Sequence, residues 1–371
     1  MNFSTLELTN YWLPLIWVCA AGFILNMFPK QTVQHGSRVE QRWFWFSVVL
    51  LVIPLVIWAG ARVRIGDTAA YRRHFLSAPA SLLELPAYLK SKTKDRGFSV
   101  LMTVCKSLGV SQPATFFTII AFVQMWGMAV TFRKYAPNFW VCIFLFVAST
   151  DYISWMFNGM RQFLATTIIF SASGLLFQGR LKPFCLVVLL ASTIHGSALL
   201  MIPLAYAMNG RILNTKMLWI LLGTALVMPI ADWLMPALTS ALENTQYNDI
   251  TTNEVWATDD GTNIIRGLVY SVPALVALFC RRYISGSTDR VMSICINGAL
   301  ATMALYLISS VTSGIYVGRL PIYTTFYGYM ALPWMLEQIF EKNSKQFVLV
   351  MMVLFYIAFY YYQMGATWGL L

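Results

Sequence analysis

The feature that most constrains this chain is a run of membrane-length apolar segments repeated almost end to end. They fall near 11–28, 43–60, 114–132, 139–157, 161–179, 183–208, 217–234, 265–280, 291–312, 320–337 and 346–364. A transmembrane helix needs roughly 17 to 25 predominantly apolar residues, so segments of this length leave no room for a soluble domain between them. Composition agrees: 58% of residues are hydrophobic and only 11% charged, against about 25% charged in ordinary soluble domains. The pattern predicts an all-α polytopic membrane protein, residues 1–371 forming one integral membrane domain of about 10–12 transmembrane helices.

The opening MNFSTLELTNYW has no basic stretch and carries Glu7, so the first apolar run reads as a retained helix rather than a cleaved signal. The six cysteines are scattered singly and the three histidines lie far apart. Neither shows disulfide or metal-ligand spacing, and neither a metal nor a cofactor is expected.

The net charge of +11 has a telling distribution. With the amino terminus outside, the short inside turns hold more than half of the 26 basic residues, among them Lys30, Arg42, Arg133, Arg180, Arg211 and Arg290. The outside then keeps two polar loops, 61–113 and 235–264. The first contains an amphipathic stretch over about 98–110 that suits the interface. The second is acidic, with Glu243, Asp249, Glu254, Asp259 and Asp260. The run 183–208 has two readings. His195-Gly196 splits it into halves too short to span comfortably, which fits a re-entrant helix; the alternative is one continuous span with the topology shifted after it.

Polar chemistry concentrates in a few segments. ARVRIGDTAAYRRHF, residues 61–75, places Arg62, Arg64, Asp67 and Tyr71 just past the second apolar run, with Gly66 free to make a tight turn or a close backbone approach. Paired arginines offer planar donor forks suited to phosphate or carboxylate, though arginines here would also serve as a basic anchor. Asp95, ahead of the 98–110 stretch, reads as a helix cap, and Lys90, Lys92 and Lys94 as a solvated or lipid-facing surface. Arg161 and Gln162 follow the turn Asn158-Gly159 at the start of the fifth run. Asp151, in the preceding run, is a competing partner for Arg161, since a carboxylate at that depth is costly unless paired. His195 stands in STIHGSALL, and Arg319 with several tyrosines, Tyr323 among them, in GIYVGRLPIYTTFYGYM. A histidine there is either a satisfied core residue or a proton acceptor, and the tyrosines are either an interface belt or stacking platforms.

The ordered set R-V-R-I-G-D-T-A-A-Y (62–71), D-R-G-F (95–98), R-Q-F-L-A (161–165), H-G-S-A (195–198) and G-R-L-P-I-Y (318–323) resembles the EpsG-like family of bacterial membrane proteins, allied to Wzy-type polysaccharide polymerases. The resemblance covers roughly 60–325. It implies a multi-span, GT-C-like glycosyltransferase of the bacterial plasma (inner) membrane. Such an enzyme would work without metal, moving a glycan from one undecaprenyl-pyrophosphate carrier to a lipid-linked repeat unit on the outer side. Donor and acceptor lipid-linked oligosaccharides, membrane lipid and a chain-length regulator protein are the implied partners, and no nucleic acid. Arg62, Arg64, Arg161, Gln162 and Arg319, with Tyr71 and Tyr323, would bind pyrophosphate and glycan, and His195 or Asp67 would act as base or orienter. Three rivals stay open: a transporter or flippase of lipid-linked sugars, a membrane glycan acyltransferase, and a non-catalytic scaffold. A transporter would show gating and repeat symmetry. An acyltransferase would require an acyl donor, and a scaffold would tolerate loss of the arginines.

Overall fold

The computed structural model describes residues 8–35, 38–231 and 261–370. Each of the eleven apolar runs carries helix, and the protein is an all-α membrane protein with one short hairpin among the described residues. Most of the expected loop 235–264 lies outside the described residues, including its five acidic side chains. Where ten to twelve spans were expected, four helices among the described residues are long and apolar enough to cross a membrane: Pro113–Tyr135, Met160–Phe177, Arg290–Ser310 and Lys342–Ala366. A fifth forms if Phe139–Ala148 and Tyr152–Asn158, bent by 70°, count as one broken span. The shorter apolar helices, such as Trp45–Gly60, have 10–17 residues. Large apolar side chains face outward along these helices, Phe46, Phe122, Leu222 and Phe347 among them. In water such exposure would be penalised; in lipid it is the solvated state.

The described chain divides into two compact units. The first comprises Met1–Gly174, Leu186–Ala198 and Glu341–Leu371; the second comprises Leu175–Cys185 and Leu199–Phe340.

In the first unit, α1 (Leu13–Asn26) and α2 (Trp45–Gly60) flank a two-stranded antiparallel hairpin, β1 (Gln31–His35) and β2 (Arg38–Arg42). The basic turn expected there thus gains regular structure. Arg133, at the end of α6 (Pro113–Tyr135), fastens it by donating from Nε to the Trp43 carbonyl at 2.7 Å and from a terminal nitrogen to Gln31 Oε1 at 2.8 Å. The polar segment after α2 folds into α3 (Thr68–Ser77), α4 (Leu85–Lys90) and α5 (Arg96–Ser107). The amphipathic helix expected over 98–110 is α5. Its buried face, Phe98, Met102 and Cys105, joins Tyr71 and Phe75 of α3, Phe116 and Ile120 of α6, and Met160 and Leu164 in one apolar cluster. Phe75 and Phe116 are both fully buried and stack at 4.8 Å. Burying a phenylalanine contributes about 1.5–3 kcal/mol, so this cluster holds the polar segment onto the apolar scaffold. Lys106 of α5 ties that helix to α3, its ammonium donating to the carbonyls of Phe75, Leu76 and Ala78 at the end of α3. A cation at a helix carboxyl end satisfies orphan carbonyls and the dipole together.

After α7 (Phe139–Ala148) the chain breaks at Ser149–Asp151, where Thr150 adopts a left-handed φ of 64°, and continues as a single π-helical stretch, Tyr152–Asn158. Pi-helical turns and left-handed β-branched residues are both uncommon and both bend a helix. α8 (Met160–Ser171) follows directly, continued by α9 (Ser173–Phe177). α10 (Leu181–Ser192) ends at an interruption, residues 193–195, before a tight turn Gly196–Leu200 and α11 (Met201–Met208). The split of the 183–208 run at His195 is therefore present.

The second unit is built on α15 (Arg290–Ser310), packed against α12 (Thr215–Val227), α13 (Ile264–Phe279) and α16 (Ile322–Ile339), with α14 (Arg281–Ile284) preceding it. Small buried residues along α15, including Gly298, Ala299, Ala301 and Ala304, allow close helix approach. Thr302 and Thr324 share a hydrogen bond at 2.8 Å between α15 and α16. Asn214, Asn263 and Asp289 cap the first turns of α12, α13 and α15 with their side chains. The last helix, α17 (Lys342–Ala366), returns to the first unit, where the Tyr360 hydroxyl donates to the Tyr11 carbonyl and its ring meets Trp12 edge-on at 5.2 Å.

Candidate functional site

Asp95 is the centre of the polar cluster in the first unit. It precedes α5 but does not cap it: its φ is 55° and its side chain bonds no amide of that helix's first turn. The cap expected from sequence is corrected. Instead, Asp95 Oδ2 lies 2.7 Å from a terminal nitrogen of Arg161 and 3.5 Å from His195 Nδ1. Three segments that are distant in sequence thus converge on one carboxylate oxygen.

Local sequence explains the convergence. The Gly97 amide donates to the Thr193 carbonyl at 2.7 Å, pinning the start of α5 to the interrupted turn that carries His195. A Cβ at Gly97 would stand 2.4 Å from Thr193 Oγ1 and 2.8 Å from its carbonyl oxygen, so only glycine admits this approach. Gly66 does the same for the first motif. With φ of +58° it packs against the 157–158 backbone, a Cβ there meeting the Phe157 carbonyl oxygen at 2.9 Å. The turn and the close approach foreseen for Gly66 are both present, and they seat the 62–71 motif against the turn that leads into Arg161.

Arg161 is held from several sides. Its guanidinium lies over the Tyr71 ring at 5.8 Å, its amide donates to the Tyr71 hydroxyl at 3.5 Å, and Asp95 supplies the counter-charge. Asp151, the competing partner, accepts from the Trp155 indole at 3.0 Å within the broken span. Arg62 is buried, only 4% exposed, with a terminal nitrogen against the Met160 sulfur at 2.8 Å and its guanidinium over Phe117 at 4.6 Å. Burial pushes this arginine down to about 10, partly offset by Tyr71, Tyr152 and Asp67, so it stays cationic at neutral pH. Asp67 lies within electrostatic reach of both Arg62 and Arg161. Arg64 is exposed, and Gln162 is buried beside Arg161 in α8.

Arg161 and Asp95 form one wall of a cavity of about 190 Å³ that also takes in His74, Tyr88, Lys92, Lys94 and Phe98. Lys92 and Lys94, read from sequence as mere surface, are therefore part of its lining, as is His74. The Asp95 carboxyl is only 9% exposed and its burial favours the neutral acid. The His195 contact, the Arg161 charge and the Gly196 amide outweigh that burial and hold it below the usual carboxylate range. At 3.5 Å the histidine contact is electrostatic rather than a tight hydrogen bond. His74 is lowered by partial burial and by the positive charges of Arg161, Lys92 and Arg73. The cavity is thus cationic around a single committed carboxylate, an arrangement that attracts an anion.

A family model matches residues 45–367, and its description is the EpsG family. The chain belongs to the EpsG family. The match runs through both units and includes all five motif segments. Comparison with curated proteins and with solved structures finds no match. Membership supports a polysaccharide-polymerase-like role at a membrane. Of the residues expected at the site of this EpsG-family protein, the first unit gathers Arg62, Asp67, Tyr71, Arg161, Gln162 and His195. Arg319, in a tight turn after α15, and Tyr323, 2% exposed in α16, belong to the second unit. Among the described residues no group of three histidine, cysteine or acidic side chains could hold a metal ion.

Proposed function

We propose that this EpsG-family protein polymerises a polysaccharide at the outer face of the plasma membrane, extending lipid-linked repeat units carried on undecaprenyl pyrophosphate. The observation that carries the reading is the Asp95 carboxylate bridging Arg161 and His195 on the wall of a cationic cavity. A hydroxyl of the acceptor repeat unit attacks the anomeric carbon of the donor glycan. The bond from that carbon to the pyrophosphate oxygen breaks, and its electrons leave with the pyrophosphate. Arg161, Lys92 and Lys94 hold the donor anion and stabilise the charge growing on it, and the buried Arg62 cation of the same unit adds to the positive field. Asp95 favours the histidine tautomer whose proton sits on Nδ1, which leaves Nε2 as the basic nitrogen to take the hydroxyl proton. No step in this scheme requires a metal.

The test uses the full chain in liposomes with undecaprenyl-pyrophosphate-linked repeat units, products resolved on a gel. Wild type and Arg42→Ala should give a ladder of multiples, while Arg161→Ala and Asp95→Asn should stop at single units. A normal ladder from Arg161→Ala, or none from wild type with its native repeat unit, would overturn the proposal.

One observation favours a transporter of the same lipid-linked sugars: the 70° break at Ser149–Asp151 with a fully buried carboxylate, since broken helices carry coupling sites in transporters. Movement of a fluorescent lipid-linked sugar across protein-containing vesicles, with no ladder formed, would select that reading.

A further inference from the structure

A second cavity opens wholly within the second unit, between the loop that leads into α12 and the loop that leads into α15. It encloses about 550 Å³, and Arg211 and Arg290 are its charged lining, with no carboxylate among the described lining residues. Four hydroxyls line it as well, those of Ser285, Ser287, Thr288 and Ser293. Asp289, which stands between them in sequence, turns its Oδ1 to the Met292 amide at 3.1 Å. One oxygen of that carboxylate is thereby engaged at the helix start, where it caps α15. Whatever binds here must be held by guanidinium and hydroxyl groups.

The two arginines are on fixed supports. Arg290 donates from Nε to the Phe177 carbonyl at 2.9 Å and from a terminal nitrogen to Asn209 Oδ1 at 2.6 Å. The loop bearing Arg211 is bolted to α15 by Asn297, which is fully buried. Its amide donates to the Met208 and Arg211 carbonyls at 3.0 and 2.9 Å, and its oxygen accepts from the Leu213 amide at 3.0 Å. The Arg211 guanidinium itself is exposed and makes no bond to any described residue. Rigid loops thus present two exposed guanidinium groups to one cavity, an arrangement that favours an anion.

We propose that this cavity binds a phosphate group attached to a small polyol. Guanidinium forks match phosphate oxygens, the hydroxyls match a polyol, and the volume exceeds what a bare phosphate fills. The phosphate has two natural sources, the headgroup of an anionic bilayer lipid or a soluble phosphate ester.

Isothermal titration calorimetry on the full chain in neutral detergent separates them. The probes are dihexanoyl-phosphatidylglycerol, dihexanoyl-phosphatidylcholine and glycerol 3-phosphate. Variants are Arg211→Gln, whose lost guanidinium makes no internal bond, and Lys342→Gln, an exposed charge distant in sequence, each first checked by thermal melt. The expected result is about tenfold tighter binding of the anionic than of the zwitterionic lipid, lost in Arg211→Gln and kept in Lys342→Gln. Glycerol 3-phosphate binding with the same variant pattern assigns a soluble ligand, and its failure beside lipid binding assigns the bilayer. Equal affinity for both lipids with no glycerol 3-phosphate binding overturns the site, as does an unaffected Arg211→Gln. An equal loss in Lys342→Gln would mean diffuse charge attraction and overturns it too.

Discussion

Gly97 is the residue on which the cluster's geometry turns. Its missing side chain lets the amide reach Thr193, and that contact sets Asp95 opposite His195. Gly97→Ala should reduce ladder formation at least tenfold while the protein still inserts and melts cooperatively, because about 1 Å of displacement suffices to misplace a catalytic contact. Asp95→Asn should lower stability by about 2 kcal/mol at neutral pH through loss of charge-assisted bonds. The sign with pH follows from the direction of the shift: the folded carboxyl is held below the free value of 3.8, so its contribution is complete above that value. Melting curves of wild type and Asp95→Asn should stay apart from pH 8 down to about 5 and converge only as pH falls through and below about 4. His74 responds oppositely to ligand. It is lowered partly by its cationic neighbours, so an anion in the cavity should raise it, and a non-titrating pyrophosphate diester should bind severalfold tighter at pH 6 than at pH 7.5. At this scale the sequence was legible for Arg161, Tyr71 and His195, which stand beside turns or breaks in apolar runs. Asp95 reads as a cap because an aspartate before a helix is the usual capping signal, and only contacts with segments far along the chain redirect it to Arg161 and His195.

Among elements, α3 and α5 pack on the scaffold through the aromatic cluster, and Lys106 ties the two helices to each other. Phe75→Ala should cost about 3–5 kcal/mol, and Lys106→Met about 1 kcal/mol. Hydrogen exchange should show faster opening confined to residues 68–107 in both variants, with α6 and α8 still protected. The amphipathic period of α5 made that helix predictable, and apolar length did the same for the long helices. The hairpin at 31–42 was not, since its polar alternation carries no core face and its anchor is Arg133, far along the chain. Nor was the π-helical stretch at 152–158, which depends on the left-handed Thr150 rather than on any change in hydrophobic period.

For the molecule as a whole, the eleven apolar runs were legible, but how deeply each helix is buried was not, because that depends on which faces neighbouring helices cover. Helix Arg290–Ser310 is buried nearly all round while Lys342–Ala366 is largely exposed, though both are similarly apolar in sequence. The interleaving of the two units also escapes a linear reading. Residues 175–185 and 199–340 form a body of their own, inserted within the chain of the other. The return of Lys342–Ala366 to Tyr11 and Trp12 then has a consequence in time. During synthesis the inserted body is fully translated while the earlier unit still waits for its closing helix, and Trp12 lacks the ring it meets in the finished protein. Assembly of the unit that holds Asp95, Arg161 and His195 is for that reason a late event, and a stalled ribosome near residue 340 would leave an insertase or chaperone to shield its open flank.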